Sequence, residues 1–216
     1  MNPDKEALNR VLAYAQKEHG VKIKFKNESS FMKVLGWILF FNPRFMTKYT
    51  TIIGTTAYFP SRKYLEENPG PASWVFCHEL VHMSDAKQFG STLFNLSYLF
   101  PQCLAIFSLL SFVIGPWALL ALLFLLPIPA LFRTRWELRG YAMTDAVTLH
   151  ETGHFTNIGW MSGQFTTGAY YFMWPFEKQL KREIQNNRRL ILDNRLHEKI
   201  PEANDILKAF SGVDYE

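Results

Sequence analysis

The sequence predicts an α+β chain, mainly helical, with a small sheet and a hydrophobic helical hairpin. Three observations carry that expectation. Polar, amphipathic helical pattern dominates both ends of the chain, while only residues 21–25 and 49–59 have the composition of strands. Between Lys87 and Arg133 there is no Asp, Glu, Lys or Arg, which sets one long stretch apart from everything around it.

The elements follow in order. MNPDKEALNRVLAYAQKEHG reads as a polar amphipathic helix, with Pro3 suited to its first turn and Gly20 to its stop. It has no apolar core of the secretory type, so the expectation is that this segment stays in the cytoplasm. Val21 to Phe25 alternates apolar and polar residues, as a half-buried strand does. Phe31 to Phe41 is apolar but shorter than the roughly 20 residues that span a bilayer, so a buried or interfacial helix is expected. Tyr49 to Phe59 is rich in Thr, Ile and Tyr, with Gly54 marking a bulge or turn between two strand pieces. Pro60-Ser61 ends it, a short helical piece follows, and Asn68-Pro69-Gly70-Pro71 breaks the chain. Ser73 then caps a helix expected from Trp74 to about Phe89, with Gly90 as its stop.

Residues 91–132 divide at Gly115-Pro116 into apolar pieces of 24 and 17 residues. As straight helices they would cover about 36 and 25 Å, bracketing the roughly 30 Å hydrocarbon core of a bilayer. The expectation is a transmembrane hairpin, with Lys87 before it and Arg133, Arg135 and Arg139 after it placing both ends in the cytoplasm. A hairpin buried in a large assembly is the competing reading, kept open by Asn95, Pro101, Gln102 and Pro127-Ile128-Pro129. From Thr134 a polar helix resumes to about Leu149, followed by a loop-like, Gly- and aromatic-rich stretch. Phe176 to Lys199 is a charged helix whose stripe of Phe176, Leu180 and Ile184 packs on its own protein or on a membrane surface. Residues 1–90 and 133–216 are thus expected to form one domain, interrupted by the hairpin at 91–132.

Bulk composition narrows the function classes. Two cysteines, Cys77 and Cys103, make neither a disulfide framework nor a cysteine-rich metal cluster. The net charge of +4 comes from 23 basic against 19 acidic residues, too mild an excess to argue for nucleic acid and consistent with anionic membrane lipid.

The chemistry sits in WVFCHELVHMSDAKQFG, residues 74–90. Residues four apart on a helix share a face, so His78 and His82 can offer two nitrogens to one zinc ion. Glu79, one step round, then faces the open coordination position and can act as general base. A second copy of the spacing, His150-Glu151-Thr152-Gly153-His154, falls where helical pattern fades, and its Gly153 weakens a helix by about 1 kcal/mol relative to Ala. Its histidines are expected to line a cleft or bind substrate.

Two imidazoles leave a zinc site incomplete, and three residues compete for the third place. Asp85 lies about 4.5 Å further along the helix than His82, which suits it better to orienting a histidine. His150 is a second candidate. Glu137, in FRTRWELRGYAMTDA, is the best of the three because it returns to the same side of the membrane just after the hairpin.

The order of HELVH on a helix, a hydrophobic hairpin and an Arg-flanked Glu opening another helix resembles the HtpX-like membrane-embedded zinc proteases of the gluzincin clan, over roughly residues 73–146. The family shows Ala-Asp three and four residues after that Glu, where this chain has Gly140 and Tyr141. The resemblance implies a zincin-like catalytic domain with His78, His82 and Glu137 on Zn2+ and Glu79 as general base. It also implies an oxyanion donor, for which Tyr141, His150 and His154 are candidates, and a substrate-binding edge strand, for which Tyr49 to Phe59 is placed.

The expected function is therefore a membrane-associated zinc metallopeptidase that cleaves protein or peptide substrates, with its site facing the cytoplasm. The alternative is a structural or assembly protein, such as a virion component, with a zincin-like fold and its hairpin buried against partner subunits.

Overall fold

The computed structural model describes residues 3–40, 42, 44–170 and 172–213. Its elements run α1 (Pro3–His19), β1 (Lys22–Phe25), α2 (Ser30–Ile38), β2 (Thr51–Ile53), β3 (Thr56–Phe59), α3 (Arg62–Glu67) and α4 (Pro69–Phe89). Then come α5 (Ser91–Leu99), α6 (Ser111–Ile114), α7 (Leu131–Thr152), α8 (Ile158–Thr166), α9 (Glu177–Leu192) and α10 (Ala203–Ser211), with short 3-10 segments between several of them. The chain is α+β, mainly helical with one three-stranded sheet. It divides into two compact units, Met1–Leu80 with Glu202–Glu216, and Val81–Pro201; the division falls within the single helix α4.

In the first unit α1 turns Ala7, Leu8, Val11 and Ala15 inward. It packs with α10, whose Ala203, Ile206 and Phe210 are buried, and Arg10 fastens the pair by donating to the carbonyls of Ala209 (3.3 Å) and Phe210 (2.5 Å). The sheet order is β1-β3-β2, with β1 parallel and β2 antiparallel to β3. The central strand β3 buries Ala57, Tyr58 and Phe59, and the Phe59 ring lies 5.6 Å from that of Phe76 on α4. Gly54 makes the turn between β2 and β3 with a φ of 58°.

Helix α2 carries apolar residues on both its buried and its exposed side, with Lys33 the one charge on the exposed side. Met32 is buried with Phe45 and Tyr58, with Leu35, Leu39 and Met46 packed around them. A Cβ at Gly36 would come within 2.8 Å of the Met46 side chain, so any larger residue there would have to displace it. The other face leaves Phe31, Val34, Trp37 and Ile38 exposed, Trp37 at 79%. Of the expected stretch, Phe41 lies outside the described residues.

Helix α4 starts earlier than the sequence suggested. It opens at Pro69, so Ser73 is no cap but an interior residue whose hydroxyl donates to the Gly70 carbonyl at 2.7 Å. Proline lacks only an N–H that the first helical turn leaves unused, so Pro69 and Pro71 begin the helix instead of breaking the chain.

In the second unit the apolar stretch is not two long helices. It breaks at Gly90, at Phe100-Pro101 and at Gly115, giving α5, a 3-10 segment at Gln102–Leu110, the single turn of α6 and a 3-10 segment at Pro116–Leu125. Proline lacks the N–H that a continuing helix needs, so Pro101 ends α5 where residue count alone would have continued a span. Among the described residues no single helix is long and apolar enough to cross a membrane; Ser91–Leu99 and Gln102–Ile114 reach that length and composition only together, bent by 88°.

Helix α7 is longer than expected at both ends. It packs with α8 and α9 around Leu138, Tyr141, Met161, Phe165, Leu180 and Ile184. Residues 150–175, read as loop-like, contain α8, capped by Asn157, whose Oδ1 accepts from the Trp160 N–H at 2.9 Å. Asp145 on α7 ties this region together, accepting from Arg188 Nε at 2.7 Å and from the Thr156 N–H at 3.0 Å.

Candidate metal centre

Helix α4 is held by apolar residues along one side: Ala72, Phe76, Cys77, Leu80 and Val81 are all buried. His78 and His82 lie one turn apart on this helix, His78 buried and His82 half-buried. Glu137 stands on α7 and is 2% exposed, among the least accessible carboxylates of the chain. His82 Nε2 lies 3.8 Å from Glu137 Oε1. One ligand atom from each of His78, His82 and Glu137 lies within 4.8 Å of the other two, so the trio could hold a metal ion. Among the described residues no other group of three or more His, Cys, Asp or Glu meets that condition.

The surroundings of Glu137 come from α5. Phe94 and Tyr98, one turn apart, set their rings 6.1 Å from that of His82, and the Tyr98 hydroxyl donates to Glu137 Oε1. Trp136 locks α5 against α7: its Nε1 donates to Ser97 Oγ at 2.9 Å, and its ring lies 5.3 Å from Phe94. Tyr98 is the only tyrosine in residues 91–132, and its isolation in a charge-free stretch is the sequence signal that could have flagged it.

The other residues singled out in the sequence are placed as follows. Asp85 is fully buried and its carboxylate is gripped by Arg139, from Nη2 at 2.7 Å and Nε at 3.2 Å. Glu79 is half-buried on α4. Its negative charge reaches Lys26, a fully buried lysine whose ammonium donates to the Phe45 carbonyl at 2.7 Å and lies 3.9 Å above the Phe45 ring. Burial lowers the Lys26 pKa to about 8, against the opposing pull of Glu79. Lys26 was not singled out in the sequence, because alternation in Val21 to Phe25 gives no sign that the next residue turns inward.

Tyr141 is buried one turn after Glu137, and its hydroxyl donates to that of Tyr170 at 3.3 Å. Burial foremost, then the charge of Glu137, holds the Tyr170 phenol well above its ordinary range. His150 and His154 are exposed. Helix α7 ends at Thr152, and Gly153 takes a φ of 74°, so these two histidines do not share a helical face; His150 lies about 20 Å along α7 from Glu137. Of the stretch proposed as a substrate-binding edge, β3 is paired on both sides and β2 is the edge strand.

No family model, curated protein or solved structure matches this chain.

Proposed function

We propose that this protein is a zinc-dependent endopeptidase associated with a membrane, cleaving protein or peptide substrates with a cytoplasm-facing site. The observation that carries the proposal is the donor set of His78, His82 and Glu137 drawn together in a buried setting. Two imidazoles and one carboxylate are the ligands of catalytic zinc in several peptidases, and they leave a coordination position open. No thiolate competes, since Cys77 points about 100° away around the helix from His78.

Zinc, when bound, supplies Lewis acidity toward a carbonyl and makes water a better nucleophile near neutral pH. The chain's own residues supply the rest. Glu79 takes the proton of the attacking water and returns it to the leaving amine. Asp85, held by Arg139, fixes the last turns of α4 against α7. Tyr98 holds Glu137 in orientation through its hydroxyl. Tyr141, one turn from Glu137, is nearer than His150, which lies about 20 Å away along α7, and would have to turn its hydroxyl proton from Tyr170 to donate to the developing oxyanion. The likeness to HtpX-like proteases rests on the order of these motifs.

Membrane association is supported by exposed apolar surface. Phe112 is 92%, Val113 81% and Trp117 77% exposed, and α2 adds its own apolar outer face. Because the apolar stretch is broken and bent, the proposal takes the form of a re-entrant or interfacial insertion, with flanking Lys87 and Arg135 at anionic headgroups. The same surface favours a second reading, an assembly protein such as a virion component that buries the stretch against partner subunits. Release that requires detergent supports lipid; copurification with a stoichiometric partner supports assembly.

The test is hydrolysis of an unfolded polypeptide by the detergent-solubilised, zinc-loaded chain. Glu79→Gln should retain zinc and lose about 10²–10⁴-fold in rate. Undiminished hydrolysis by that variant refutes the assignment.

A further inference from the structure

Arg133 stands one turn before Glu137 on α7, about 6 Å along the axis and on the same face. Its guanidinium lies over two aromatic rings, 5.0 Å from the centroid of Tyr98 and 5.6 Å from that of Tyr170. Both tyrosines belong to the surroundings of Glu137: Tyr98 donates to it and Tyr170 feels its charge. Arginine of this kind usually sits beside a carboxylate. Here, among the described residues, no acidic group lies within ion-pair distance of Arg133, and its buried Nε has no hydrogen-bond partner. Arg139, six residues on along α7, differs: its guanidinium donates to Asp85 and to the Lys199 carbonyl.

A buried guanidinium nitrogen without a partner carries a desolvation cost that an arriving anion would relieve. The two rings fix the guanidinium plane, and a planar fork of N–H donors fits a carboxylate at two points. The offset of about 6 Å along α7 between Arg133 and Glu137 is of the order of one or two peptide bonds. The carboxyl carbon of a residue just downstream of a scissile carbonyl lies three bonds, about 4 Å, from it. A substrate carbonyl beside His82 and Glu137 would thus bring such a group toward Arg133.

We infer that Arg133 is a substrate-recognition residue that binds a carboxylate on the downstream side of the scissile bond. This rests on the peptidase reading and specifies its substrate class: peptides that end there, or that carry an acidic side chain there. The Arg133 guanidinium, backed by the Tyr98 and Tyr170 rings, selects the charge, while His78, His82 and Glu137 hold the metal.

The test is equilibrium binding of three short peptides to the full chain in detergent, both zinc-loaded and metal-free. The peptides are N-acetyl-alanyl-phenylalanine as the free acid, the same peptide as its amide, and N-acetyl-alanyl-aspartic acid α-amide. At least one acidic peptide should bind wild type about 10-fold or more tightly than the neutral amide, and which one does so identifies the source of the carboxylate. The preference should vanish in Arg133→Gln and survive in reduced form in Arg133→Lys, which keeps the charge but not the fork. Equal affinity of wild type for all three peptides, with no measurable binding of any counted as equal, overturns the inference, as does an undiminished preference in Arg133→Gln. If wild type takes up no zinc, the metal reading fails, yet the comparison in metal-free protein still decides the role of Arg133.

Discussion

His82 Nε2 and Glu137 Oε1 lie 3.8 Å apart, although a long charge-free stretch of chain separates the two residues. A tetrahedral zinc ion with bonds of roughly 2.0–2.2 Å sets its ligand atoms about 3.4 Å apart. The pair therefore needs only a small side-chain movement to share an ion. Tyr98 sits at the junction, its ring beside His82 and its hydroxyl on Glu137. Tyr98→Phe should lower zinc affinity by about 10–100-fold while leaving the fold intact, as read by competition with a chromophoric chelator. Unchanged affinity would show that the hydroxyl does not orient the ligand.

The Asp85–Arg139 pair tests how α4 is tied to α7. Asp85 is inaccessible and Arg139 16% exposed in its side chain, so removing one partner strands a buried charge. Arg139→Met should destabilise the protein by about 3–5 kcal/mol in denaturant titration. Adding Asp85→Asn should restore part of that loss, and failure to do so would mean that the pair's charge is not the issue.

Much of the secondary structure was legible in the sequence, because polar periodicity and turn residues are local signals. The two ends of α1, the strands around Gly54 and the stop at Gly90 are of this kind. Pro69 was misread because the same residue breaks a helix in its interior and begins one at its first turn. The helix at Ile158–Thr166 was hidden by its glycines, since burial of Met161 and Phe165 overrides weak local propensity. In the apolar stretch, length argued for straight spans while Pro101 and Gly115 argued against them, and counting residues could not weigh the two. The spacing of His78 and His82 announced a shared face; the roles of Tyr98, Tyr170, Arg133 and Lys26 depend on neighbours distant in sequence.

Lys26 gives a pH signature. Burial brings its pKa to about 8 in the folded chain against an ordinary value of 10.5, so the folded state disfavours the ammonium. Below pH 8 the lysine is protonated in both states and its burial is a cost; as pH rises from 8 to 10.5 the folded state alone has lost the proton, and stability is gained. Wild type should therefore gain on the order of 2 kcal/mol relative to Lys26→Met across that range in urea unfolding. A stability difference that stays flat with pH contradicts a desolvated amine.

The apolar outer face of α2 makes a separate prediction. Phe31 and Trp37 are 56% and 79% exposed, so Phe31→Ser with Trp37→Ser should barely change thermal stability. Partitioning onto vesicles containing anionic phospholipid should nonetheless fall by about 10-fold or more, each lost side chain removing roughly 1.5–3 kcal/mol of apolar transfer. Equal sedimentation of variant and wild type with the vesicles would remove α2 from the membrane contact.

The central claim is that one zinc ion is held jointly by α4 and α7, and metal analysis of the purified chain tests it most directly. Wild type should carry one zinc per chain, and His78→Ala, His82→Ala and Glu137→Ala should each lose it, with affinities lower by more than the roughly 100-fold upper range for an outer hydrogen-bond partner. A wild-type chain without zinc, or a Glu137→Ala variant that binds it as tightly as wild type, would contradict the account.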